Sequence, residues 1–158
     1  MDDRMRERLQ KALENNRTKD SEFAQRRADE KAAADLELRR RQDAKTIWPE
    51  FVDKVRGAAS AVNNQIAEGG FLLEVEDHDT TTTRRARVSL LHESAAVGMR
   101  AVFLFKESGA IATTFAGLQD SKLTDIDIFT VEQQKIEMIL VSLFEQYVRH
   151  RPFPKEHV

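Results

Sequence analysis

The sequence predicts an α+β fold: a long charged N-terminal helix, a second helix, a four-stranded antiparallel meander with a fifth strand as an option, and a C-terminal amphipathic helix packed on one sheet face. Three observations predict it. Asp3 to Lys45 contains neither glycine nor proline. Hydrophobic alternation of period two dominates the chain from Phe71 to Ala116, with connections too short to hold a crossover helix. Beyond Thr130 the apolar residues return at three- and four-residue spacing. The most apolar uninterrupted run, Ala101 to Phe105 within Met99–Lys106, is the organising strand, expected to lie centrally and to be buried on both faces.

The arm comes first. Residues 1–45 are rich in Ala, Glu, Arg, Lys, Gln and Leu, which lose least in a helix, and Glu7/Lys11, Glu22/Arg26, Asp35/Arg39 and Glu37/Arg41 are acid-before-base pairs one turn apart. The polar stretch 15–21 competes for backbone hydrogen bonds, so a break there, capped by Asp20 or Ser21, is the alternative. Met1, Met5, Leu9 and Leu13 step by four, and Ala24, Ala28, Ala32 and Leu36 repeat the step with Phe23 alongside. This thin stripe makes Leu9, Leu13, Phe23, Ala28 and Leu36 the candidate interaction residues. They belong to an arm that pairs with a second copy, most simply a homodimer, although the strict seven-residue repeat of a coiled coil is not sustained.

A globular domain is expected over 46–151, followed by a tail at 152–158. Thr46-Ile47-Trp48-Pro49 reads as a fresh helix start, with Thr46 as cap and proline in the first turn. Trp48, Phe51, Val52, Val55, Ala59, Val62 and Ile66 give that second helix a core-facing stripe, and Gly69-Gly70 stops it. Two alternating strands then flank a turn at 77–83, Glu93 to Gly98 leads into the central strand, and a turn at Glu107-Ser108-Gly109 precedes a strand over 110–116. Phe71, Leu73, Val75, Ala86, Val88, Leu90, Ala101, Phe103, Phe105, Ile111 and Phe115 form one apolar face. The other face is apolar only in patches and calls for a covering helix or subunit. An edge strand near Ile126 and Ile128 is the optional fifth, and Thr130 to Gln133 has the form of a capping box opening a helix that runs to about His150.

Composition excludes several function classes. With no cysteine there is no disulfide, thiolate metal site or cysteine nucleophile, and a reducing cytoplasmic setting is the expectation. The first ten residues lack the apolar core of a signal peptide, and no segment is long and apolar enough to span a membrane. A net charge of −2 gives no general attraction to nucleic acid. Arg39, Arg40, Arg41 and Lys45 are the one dense basic cluster, but Glu37 and Asp43 interrupt it and no aromatic side chain interleaves it, so nucleic-acid binding is not expected.

Chemistry is thinly represented. Glu74, Glu76 and His78 alternate along one strand and share a face, the weak candidates for a cation site, with His92 expected on the neighbouring strand. A solvated strand end looks the same, so no metal or other cofactor is assigned. No phosphate-binding loop, dinucleotide fingerprint, HExxH or nucleophile elbow occurs, and no enzyme class follows. The expectation is a non-enzymatic, homo-oligomeric interaction or adaptor protein with self and an unidentified protein as partners. The alternative is a small-molecule binding domain whose pocket is lined by Phe71, Phe103, Phe105 and Phe115 between the sheet and its covering helices.

Overall fold

The computed structural model describes residues 1–152 apart from Thr81 and Gln119; the rest of the expected tail, 153–158, and Thr81 within the expected turn lie outside the described residues. The chain divides into two compact units, Met1–Arg40 and Arg41–Val158.

Helix α1 spans Asp3–Ile66 without interruption. The two places where the sequence offered a break behave alike. Thr18 and Thr46 each turn their hydroxyl back to donate to a carbonyl one turn earlier, Glu14 and Gln42 respectively, so neither polar stretch starts a new helix. The fresh start at Thr46–Pro49 is therefore corrected: Pro49 sits inside the helix. An interior proline removes the bond to the carbonyl four residues back and costs about 3 kcal/mol. Trp48, Phe51, Val52 and Val55 around it are all buried. At roughly 1.5–3 kcal/mol for each large apolar side chain removed from water, their burial outweighs the proline.

In the second unit the core-facing stripe begins at Ala44, which is fully buried, and runs through Val62. The sheet it covers has the order β1 (Phe71–Asp79), β2 (Arg84–His92), β3 (Ala95–Phe105), β4 (Ala110–Ala116) and β5 (Ser121–Lys122), every pair antiparallel. A sixth short strand, β6 (Ile126–Asp127), also pairs with β4, at the place where the sequence suggested an edge strand. The meander is as expected, with β3 in its middle.

Burial of β3 on both faces is corrected. Ala101 and Phe103 are buried, Val102 is half-buried and Leu104 is 39% exposed. An antiparallel meander has no crossover helices to place on its second face, so α1 and the last helix collect on one side and the strands alternate. On that inner face Leu73, Ala86, Val88, Leu90, Ile111 and Phe115 are buried, while Phe71, Val75 and Phe105 are half-buried at its margins.

β3 starts six residues earlier than its apolar run suggests. Glu93 and Ser94 form a two-residue turn with φ of 49° and 69°, the mirror-image hairpin geometry whose twist suits two adjoining strands. The pairing then slips. Ser89 faces Arg100 whereas Leu91 faces Ala96, so β3 carries two extra residues in a bulge around Gly98. Gly117, at the end of β4 with φ 129°, packs against this bulge: a Cβ there would land on the Gly98 carbonyl oxygen.

Helix α2 (Gln133–His150) buries Ile136, Ile139, Leu140 and Leu143. The expected capping box does not form. The N–H groups of Thr130 and Val131 both donate to the Asp127 carbonyl, which places Thr130 in the preceding turn. Glu132 holds the N-cap position without a side-chain cap, and the Gln133 amide donates forward to Glu137. Lys54 Nζ donates to the Val131 carbonyl at 2.9 Å, tying the start of α2 to α1. The helices meet closely here, since a Cβ on Gly57 would lie 2.5 Å from Gln133 Oε1.

These two glycines respond differently to a methyl group. At Gly117 the obstacle is backbone and φ is in the region L-residues avoid, so Gly117→Ala is expected to destabilise by more than about 3 kcal/mol. At Gly57 the obstacle is the mobile end of a glutamine, and alanine is preferred in a helix interior by up to about 1 kcal/mol. Chemical denaturation should therefore show Gly57→Ala to be neutral or stabilising and Gly117→Ala severely weakened. Equal losses in the two variants would contradict this reading of the bulge.

Candidate functional site

In the first unit every residue from Met1 to Arg40 is exposed. Leu9 is 52%, Phe23 61% and Leu36 66% exposed, and Leu13 and Ala28 are likewise in solvent. Helical geometry sorts these five. Each four-residue step advances about 40° around the axis. Leu9 and Leu13 are thus neighbours on one ridge, and Phe23, eighteen residues beyond Met5, lies directly above that methionine. Ala28 begins to pass round the helix, and Leu36, twenty-seven residues beyond Leu9, points to the opposite side. The stripe read as one line in the sequence is a spiral, and its five candidate residues do not share a face.

In the second unit the four phenylalanines of the candidate pocket are packed side chains. Phe103 and Phe115 are fully buried. Phe51 meets Phe103 edge-on at 5.8 Å, and Trp48 meets Phe105 in the same way at 5.8 Å. Phe71 stacks on His92 at 4.4 Å and meets Phe144 and Tyr147 edge-on. An open cleft of about 330 Å³ lies elsewhere, between α1 and α2, lined by Ala61, Val62, Gln65, Ile66, Glu137, Val141 and Phe144.

The strand face carrying Glu74, Glu76 and His78 is the outer one. Across β2 these residues face Ser89, Arg87 and Arg85. Arg87 donates to the Glu76 carboxylate, and that hydrogen bond, reinforced by the arginine's charge, holds Glu76 below the ordinary carboxylate range. A carboxylate already engaged by a guanidinium is a poor cation ligand. Among the described residues no group of three His, Asp or Glu side chains has metal-holding geometry. His92 does not join the row. It pairs with Phe71, so it points to the helical side, where its Nε2 lies 3.1 Å from the Gly69 carbonyl.

Sequence reasoning missed one polar device. β1 is an edge strand, and Asn63 of α1 accepts from the Leu73 N–H at 2.7 Å and donates to the Leu73 carbonyl at 3.1 Å. A side-chain amide thus stands in for one residue of a neighbouring strand and covers part of the edge. Position 63 follows Val62 in the core stripe, but nothing in the sequence says that its amide faces a strand. At the far side of the sheet Lys106 donates to Asp125 at 2.7 Å, which also lowers the carboxyl's proton affinity.

Among the described residues no helix is long and apolar enough to cross a membrane. No family model matches the chain, and no curated protein and no solved structure was found to match it.

The Glu76–Arg87 pair has a definite pH signature. A carboxyl whose folded value lies below its unfolded one adds stability above the unfolded value and loses it as pH falls through the folded one. Glu76→Gln should therefore lower the thermal midpoint at pH 7, with the deficit relative to the parent shrinking as pH drops below the ordinary carboxylate range. A pH-independent deficit would assign the loss to packing instead.

Proposed function

We propose that the chain is a non-enzymatic, homo-oligomeric interaction protein in which the helical unit Met1–Arg40 makes the contact with a second copy. The observation that carries this reading is the complete exposure of that unit, including Met5, Leu9, Leu13 and Phe23 at 52% or more. A helix draws most of its stability from tertiary packing, and large apolar side chains left in water along it forgo that gain until a partner covers them. A second copy is a suitable partner because closed two-fold pairs are the commonest assembly and bury the same surface twice. A non-self protein partner at the same surface extends the reading to an adaptor role.

A small-molecule binding domain is the second reading. It is favoured by the apolar cleft between α1 and α2, whose size of about 330 Å³ falls within the range of ligand pockets. An apolar ligand copurifying with the protein, and lost on Val141→Arg, would favour it over the interaction reading.

Light scattering tests the main proposal. The intact chain is expected to show about twice its 18.1 kDa mass at high micromolar concentration. Leu9→Glu with Leu13→Glu should return it to the monomer mass while the circular dichroism of the sheet is unchanged, because neither residue contributes to the buried core. A monomer at several hundred micromolar in the parent protein would refute self-association.

A further inference from the structure

We infer that the self-contact is a short ridge-on-ridge crossing of two arms centred on Leu9, and not a coiled coil running the length of the unit. The inference rests on the self-association proposed above and concerns where on the arm it occurs. Three observations carry it.

The first is the row itself. Met5, Leu9 and Leu13 occupy successive steps of one four-residue ridge, with Met1 beside its start, where Met1, Met5, Arg8 and Leu9 line a shallow groove. Ridges of this spacing interdigitate with like ridges at an interaxial angle near −50°. Identical rows from two copies satisfy that packing, so the surface is complementary to itself.

The second is the failure of the lengthwise alternative. A coiled-coil seam through Met5 and Leu9, alternating steps of three and four, continues through Ala12 to Asn16, Lys19, Phe23, Arg26 and Glu30. Taking Lys19, Arg26 and Glu30 out of water in such a seam is unfavourable. Following the apolar residues instead leads round to Leu36, on the side opposite Leu9, and completing one turn in about 54 residues would need a supercoil pitch near ~80 Å. Two-stranded coiled coils have pitches of about 140–210 Å.

The third is charge. Residues 1–14 hold four basic side chains, Arg4, Arg6, Arg8 and Lys11, against the four acids Asp2, Asp3, Glu7 and Glu14. The segment is neutral, so a second copy meets no net repulsion there. The apolar area at stake is roughly 400 Å² per copy, about half that of a standard interface, and the dimer is correspondingly weak and concentration-dependent.

The chain has no cysteine, so single-site spin labels report directly. Labels on Gln10→Cys, which stands beside the ridge and in line with position 28, and, separately, Ala28→Cys would be read by pulsed dipolar spectroscopy at high micromolar concentration. A crossing at Leu9 gives a short separation at position 10 and one of at least ~25 Å at position 28, where the axes have diverged over nineteen residues from Leu9. A companion pair, Ala28→Glu and Ala32→Glu, should leave the dimer mass unchanged. Short separations at both positions, or loss of the dimer in the alanine variants, would overturn the crossing while preserving self-association. A dimer with the position-10 labels far apart would overturn the arm contact altogether, and a monomeric parent would overturn both it and the proposal on which it rests.

Discussion

The packing of Trp48 and Phe51 against the aromatic rows of the sheet governs the second unit. Phe51 meets Phe103 and Trp48 meets Phe105, both edge-on, so one turn of α1 is fixed across the C-terminal end of β3. That turn contains Pro49, which taken alone should end a helix. The helix continues because interrupting it would expose two of the largest side chains of the core to water. With α1 held there, its later turns deliver Asn63 to the edge of β1 and Gly57 to the start of α2.

One-sided covering explains how polar groups are distributed. The inner face is occupied by aliphatic and aromatic side chains, and what its edges leave unpaired is met locally, by the Asn63 amide at Leu73 and by the short strands β5 and β6 against β4. The outer face is satisfied by pairs across strands instead, of which Arg87 with Glu76 is the clearest. This use of Glu76 converts what reads as a row of cation ligands into a strand pair. Among the described residues no other group of three His, Asp or Glu side chains takes up that geometry. Large apolar side chains in water are concentrated instead along the first unit, from Met1 to Leu38.

Much of the fold was legible because it rests on local periodicity. Alternation placed the meander and its apolar face, and three- and four-residue spacing placed α2 and the stripe from Trp48 to Val62. The errors have a common origin. Thr46 before Pro49 and Thr130 before Gln133 are good local caps, yet the first hydroxyl bonds its own helix and the second residue is held in a turn by the Asp127 carbonyl. The five arm residues also read as one stripe, because a list of four-residue steps hides the 40° turned at each.

The sequence by itself determined the class of each segment and which face of each strand is apolar, since both follow from side-chain spacing along a single element. It also determined the absence of thiol chemistry. Tertiary structure alone decided that α1 passes through Pro49, that Asn63 guards an edge strand, that β3 bulges where Gly98 meets Gly117, and that His92 and Glu76 lie on opposite faces. Each of these depends on what a distant part of the chain brings alongside. Burial and hydrogen-bond satisfaction are properties of that neighbour as much as of the residue, and one-dimensional spacing carries no record of it.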